Sequence, residues 1–274
     1  GAALGESVYD DPAWRHAHDI DLLLPPAEVE RAAKVMTDLG FREAPRLRGS
    51  QGRDFRHQTE LPVLLLERAY RVGFYRAPFE LLDERSHDLT RDGLGTIRVL
   101  DPTDALLHCL GHASYSPGRS NLLWVVDAWM IMKSGGGVDW EVFDSRAADM
   151  RIEVPLATMI RYLADEIDAP IPPDTVARAV AALATADTLR RDVALFGARQ
   201  SLAGHPDLRG RTPLSWRGRL RLLRWELLPS PDYLDWAYDG PSRLTLPAIY
   251  VSRPVSALAE RVKWRVIRAV RRRG

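Results

Sequence analysis

A single cysteine, Cys109, is all the chain has. One thiol excludes an internal disulfide framework and a cysteine-based zinc cluster, and it agrees with a reducing compartment. An excess of charge of either sign is missing too. Thirty-eight Lys and Arg face 37 Asp and Glu, a formal net charge of +1, so no global field favours nucleic acid or a membrane surface, and electrostatic arguments must be local. Long hydrophobic runs are lacking: the longest, Leu122 to Met132, contains Asp127 and is too short to span a bilayer. No secretory signal pattern opens the sequence, so the cytoplasm is the expected compartment. The abrupt opening Gly1-Ala2-Ala3-Leu4 reads as a core lacking a strand before it.

Apolar side chains, by contrast, are plentiful. They make up 46% of 274 residues, enough to bury a sizeable core in one large domain or two intimate ones. Two textures divide the chain near residue 100. Before it, short apolar runs (Ile20-Asp21-Leu22-Leu23-Leu24 and Val63-Leu64-Leu65-Leu66) alternate with one clear helix, as in a mixed sheet. That helix is announced by Pro25-Pro26, carries Val29, Ala33, Met36 and Leu39 on one face, and stops at Gly40. Beyond residue 100 the pattern turns helical. Asp101-Pro102 caps a helix with Leu106, Leu107 and Leu110 inward, Leu122 to Lys133 forms its partner, and Gly135-Gly136-Gly137 breaks the chain. Further helices are expected from Trp140, over Val154 to Ile167, over Thr175 to Leu202 and from Val255 to the Arg-rich end, with Ala203 to Pro213 a loop. The division is therefore residues 1–100 and residues 101–274.

The informative chemistry is His18-Asp19-Ile20-Asp21-Leu22-Leu23-Leu24. On a strand, side chains alternate, so Asp19 and Asp21 project from one face and Ile20 and Leu22 from the other. Two carboxylates aimed at one point suit hard divalent cations, and two metals side by side can clamp the attacking and leaving oxygens of an in-line displacement. The same pattern also describes two solvated acids at a strand end.

Order and spacing around this motif carry a resemblance. Gly1-Ala2-Ala3-Leu4, Tyr9, Asp11-Pro12, Arg15 and Asp19-Ile20-Asp21-Leu22-Leu23 resemble the pattern of the uncharacterised bacterial nucleotidyltransferases of the polymerase-beta-like superfamily. That pattern has a Lys-Gly-X-X-Leu segment, a Tyr, an Arg and Asp-Ile-Asp-Leu-Leu. It continues through Leu65-Leu66-Glu67-Arg68-Ala69-Tyr70-Arg71-Val72, similar to the family's Leu-Glu-Leu-His-Trp-Arg-Leu. Leu100-Asp101-Pro102-Thr103-Asp104, His108, His112 and Asp127 follow, so the resemblance covers residues 1–145.

The resemblance implies an α+β fold, a small mixed nucleotidyltransferase-like sheet with flanking helices followed by a mainly helical region. It implies Mg2+ or Mn2+ held by Asp19, Asp21 and Glu67, with Glu67 able to activate the acceptor, and a nucleoside triphosphate such as ATP as substrate. Gly1 and Ala2 stand where the superfamily places a glycine pair at a helix start, whose free amides and dipole cradle the triphosphate. Ala2 offers no hydroxyl, and Ala69 replaces the family's histidine. Glu60 is a rival for the third carboxylate. Arg15 reads either as a phosphate contact or as a surface arginine.

His108 and His112, four apart, share a helix face; zinc is not favoured, and His112 is expected to hydrogen-bond within the helical region, with Asp127 as one partner. Arg119, in Ser-Pro-Gly-Arg-Ser, is expected to face the site. The stretch Trp216-Arg217-Gly218-Arg219-Leu220-Arg221-Leu222-Leu223-Arg224-Trp225 interleaves cations with aromatics, as a nucleic-acid surface or an amphipathic helix does, and nucleic acid is not the favoured partner. Two functions stand. One is transfer of a nucleoside monophosphate to an unidentified acceptor, whether small molecule, peptide, protein or tRNA. The other is a catalytically silent binding or regulatory protein on the same fold.

Overall fold

The computed structural model describes residues 1–44, 52–70, 75–93, 95–114, 123–134 and 136–186, with residues 216, 220 and 247–252 besides. Residues 1–214 form one compact unit and residues 215–274 a second.

The chain begins with α1 (Ala2–Val8) and a 3-10 turn at Pro12–Trp14, then enters β1 (Ile20–Leu23). A second 3-10 turn, at Pro26–Glu28, leads into α2 (Val29–Asp38). Proline at the start of each turn has no amide to waste there. On α2, Val29, Ala33 and Met36 recur at helical spacing and are buried, as expected. Leu39 is not: it is 64% exposed, because the helix ends at Asp38 and the chain turns away through Gly40, whose φ of +88° favours glycine.

β2 (Arg42–Glu43), β3 (Gly52–Arg56) and β4 (Val63–Leu66) complete a four-stranded mixed sheet in the order β1-β4-β3-β2. β1 lies parallel to β4, whereas β3 runs antiparallel to both β4 and β2. One sheet face carries Phe55, Val63 and Leu65, buried with Ala33 and Met36 of α2. After α3 (Phe79–Asp83), β5 (His87–Arg91) and β6 (Gly95–Val99) form a separate antiparallel ribbon.

The described elements that follow are all helical: α4 (Pro102–Ala113), α5 (Leu123–Lys133), α6 (Trp140–Asp149), α7 (Glu153–Ile167) and α8 (Pro173–Thr185). Asp101 caps α4 by accepting from the Asp104 amide at 2.7 Å, and Leu106, Leu107 and Leu110 point inward as the pattern predicts. α8 ends at Thr185, where Ala186 leaves helical backbone, and residues 187–202 of the helix expected to reach Leu202 lie outside the described residues. The main core joins α4 to α7 with Tyr70, Tyr75 and Leu82, and Leu4, Val8 and Leu23 pack against it from α1 and β1. No helix among the described residues is long and apolar enough to cross a membrane. The expected loop after Leu202 and the helix from Val255 lie outside the described residues.

Candidate functional site

The site begins on β1. Asp19 precedes the strand directly, Asp21 pairs in register with Leu64 of β4, and both acids are exposed. Strand alternation puts them on the sheet face away from α2, which takes Ile20 and Leu24. Burial follows the same alternation on the neighbouring strands: Val63, Leu65 and Phe55 are buried, whereas Leu64, Leu66 and Asp54 are only half-buried. The face with the acids is therefore partly open.

Gly1, the N-cap of α1, packs beside this point; a Cβ there would stand 3.8 Å from the Asp19 carbonyl oxygen. The start of α1, where Gly1 and Ala2 stand, is thus brought to the acid pair. Arg15 is nearby but committed. Its Nε donates to Asp127 Oδ1 at 2.6 Å and its Nη2 to Oδ2 at 2.8 Å, while Nη1 donates to the His16 carbonyl. The Tyr9 hydroxyl donates to the same Asp127 Oδ1 at 2.7 Å. Both ends of the ion pair are buried. Arg15 therefore braces the segment between α1 and β1 against α5, and its guanidinium donors face protein oxygens. Asp127 thus accepts from Tyr9 and Arg15, residues whose relation to α5 no local spacing could reveal.

Glu67 stands just past the end of β4, exposed at a bend. Because Asp21 is level with Leu64, three further residues carry Glu67 roughly 10 Å beyond Asp21 along the strand direction. Glu60, in the turn between β3 and β4, lies instead toward the end of the sheet at which Asp19 enters. Among the described residues no three His, Cys, Asp or Glu side chains gather as a metal-holding group. The acid that sequence reasoning passed over is Asp54. It pairs in register with Leu64, so it shares a row and a face with Asp21, two strands away across β4. Its Oδ2 accepts from Arg56 at 2.8 Å, while its Oδ1 is buried without a hydrogen bond. The alternation in Arg53-Asp54-Phe55-Arg56, with Phe55 inward, was the available signal.

On α4, His112 is exposed and its ring centroid lies 6.0 Å from that of His108. Burial, with a smaller contribution from His112, pushes His108 down to about 3, and its Nδ1 is buried without a hydrogen bond. Burial likewise raises the Cys109 thiol well above its ordinary range, which makes it an inert packing residue. Arg119 and the Trp216–Trp225 stretch, apart from Trp216 and Leu220, lie outside the described residues.

Neither a curated protein nor a solved structure matches the chain. A family model described as "Uncharacterised nucleotidyltransferase" matches residues 1–185, which include α1, the mixed sheet, the acid pair and the helices through α8. That span covers most of the chain, and with the mixed sheet and its flanking helices it shows that the protein belongs to this nucleotidyltransferase family.

Proposed function

We propose that this nucleotidyltransferase works with a divalent cation, Mg2+ or Mn2+, held by Asp19 and Asp21, and moves a nucleoside monophosphate from a nucleoside triphosphate to an acceptor hydroxyl. The observation that carries the reading is the placement of both acids, exposed and on one open face, beside the start of α1. The residues fit the ion: magnesium is commonly held by one or two carboxylates, with substrate phosphates and water filling the other positions. A cation so placed would neutralise charge on the phosphates as the transition state develops.

The chain's own groups account for the rest. Amides at the start of α1, at Gly1 and Ala2, face the anionic phosphates. The acceptor oxygen bonds to the α-phosphorus, the bond from that phosphorus to the bridging oxygen breaks, and pyrophosphate leaves with the electron pair. The acceptor proton passes to a carboxylate of the site. Glu67, the third carboxylate by resemblance, stands beyond β4, so the reading rests on the pair. Arg15 contributes by holding the α1-to-β1 segment rather than by touching phosphate.

The test is Asp19→Asn combined with Asp21→Asn. Asn keeps the shape of Asp and removes the charge, so magnesium-dependent nucleotide binding by calorimetry should vanish, with an unchanged circular dichroism spectrum. A double variant that binds and transfers nucleotide like the wild type would end this reading. A wild type that binds nucleotide and metal without turnover over a broad acceptor panel would favour the silent binding protein.

A further inference from the structure

A second feature lies at the opposite edge of the sheet, beside β2. A cavity of about 300 Å³ is lined by Gly40, Arg42, Arg56, His57 and Gln58. Its lining residues include two arginines and a histidine and no acid; register puts Arg42 and Arg56 on the acid-bearing face, while the His57 ring meets Phe41 on the α2 side. Arg42 is exposed and enters no ion pair among the described residues, while Arg56 leans on Asp54. For a chain whose net charge is only +1, this is a local concentration of cations with an open volume in front of it.

Register places the two arginines relative to the acids. Arg42 pairs with Arg56, and Phe55 with Val63, which sets Arg56 level with Pro62. Ile20 also pairs with Val63, so Asp19 is level with Pro62 too. The row Asp19, Pro62, Arg56, Arg42 therefore crosses the whole sheet on one face, with Asp21, Leu64 and Asp54 in the next row. Three strand spacings span roughly 14 Å, a distance that one small molecule lying across the face can bridge. Half-buried Pro62 and Leu64 supply an apolar floor between the two charged ends.

We propose that the Arg42, Arg56 and His57 cavity is the anion subsite for the acceptor, and that the acceptor is a small hydroxylated compound carrying a phosphate group. This rests on the assignment of nucleotidyl transfer to Asp19 and Asp21. The phosphate takes the Arg42 fork in a bidentate pair, with the charge of Arg56, whose Nε and Nη2 donate to Asp54, beside it. The hydroxyl at the other end of the molecule then reaches the acid pair. A long polyanion is disfavoured, since it would run past Asp19, Asp21 and Glu60, and about 300 Å³ suits the lower end of ligand pockets.

Calorimetric titration of inorganic phosphate without divalent metal tests the subsite. Arg42→Gln with Arg56→Gln should weaken phosphate binding at least about tenfold, whereas Asp19→Asn with Asp21→Asn should leave it equal or tighter. Arg42→Gln alone, at an exposed and unpaired position, keeps the test valid should the double variant misfold, and Arg42→Lys should restore part of the affinity. Phosphate affinity unchanged in both arginine variants overturns the proposal, as does a wild type that binds no phosphate at about 10 mM. Acetate bound as tightly as phosphate, or a phosphorylated oligonucleotide bound far more tightly through the same arginines, overturns the assignment of a small phosphorylated acceptor. Magnesium-dependent nucleotide binding, measured on the same wild-type preparation, reports the acid-pair reading separately: its absence ends that reading and leaves the phosphate result to judge the subsite.

Discussion

Asp127 receives three donors from a segment more than a hundred residues earlier in the chain: one from Tyr9 and two from Arg15. Its carboxylate and the guanidinium are both nearly removed from water, so neither charge can fall back on hydration. Asp127→Asn would leave Arg15 charged and nearly buried, with one amide oxygen and the His16 carbonyl in place of a carboxylate. Breaking a buried pair from one side costs about 3 kcal/mol or more. Thermal unfolding should therefore fall by roughly 6 °C or more in a protein of this size. A loss under about 0.5 kcal/mol would mean that water screens the pair as it does at a surface, and that the bracing role is wrong. Arg15→Lys should recover little, because an ammonium cannot supply both parallel bonds.

Element packing turns on two close approaches. On β3, a Cβ at Gly52 would stand 2.2 Å from the Leu65 carbonyl oxygen, a backbone atom that cannot swing aside. On α4, a Cβ at Gly111 would stand 2.7 Å from the buried Tyr70 ring, which sits edge-on to Tyr75 and whose hydroxyl donates to the Leu107 carbonyl. Gly52→Ala should separate β3 from β4 and cost on the order of 2–3 kcal/mol by overpacking and lost ladder bonds. Gly111→Ala should cost about as much unless Tyr70 is shortened too, so Gly111→Ala with Tyr70→Leu should be better tolerated than Gly111→Ala alone. Denaturant midpoints compare the variants directly; equal midpoints for wild type and Gly52→Ala would show that the strands separate freely there.

Local pattern explains what was legible at this scale. Period-two burial in Val63-Leu64-Leu65-Leu66, the Asp101 cap and the face of Val29, Ala33 and Met36 are set by neighbours a few residues away, and each was readable. The Asp19 and Asp21 face followed from the same rule. Strand register did not, since it depends on which partner pairs at which offset. It is register that carries Glu67 past Asp21, sets Asp54 on its row, and lines Arg42 and Arg56 up with Asp19. Leu39 failed for a local reason, the turn at Gly40, which ended the helix before its face could include that residue.

For the molecule as a whole, two groups on α4, half-buried His108 and buried Asp104, give folding stability opposing pH dependences. His108 is pushed from an ordinary 6.5 to about 3, first by burial and then by His112. Between those values the unfolded chain binds a proton that the folded chain refuses, so stability falls as pH drops below 6.5. Asp104 moves the other way. Fully buried, with Arg146 Nε at 3.5 Å and no hydrogen bond to either oxygen, it is pushed from 3.8 up to about 6 by burial, with Asp101 and Glu84 adding and Arg146 and Arg85 opposing. Between 3.8 and 6 the folded state holds the extra proton, so stability rises as pH falls, and the carboxylate form costs stability above 6. In the wild type the two slopes should largely cancel between pH 4 and 6. His108→Gln removes the acid penalty, so its urea midpoint should rise on going from pH 7.5 to pH 5, by the equivalent of roughly 1 kcal/mol. Asp104→Asn removes the opposing slope, so stability should fall over the same interval and gain relative to wild type at pH 7.5. Parallel pH profiles for both variants and the wild type would show that neither group carries its shifted affinity for protons.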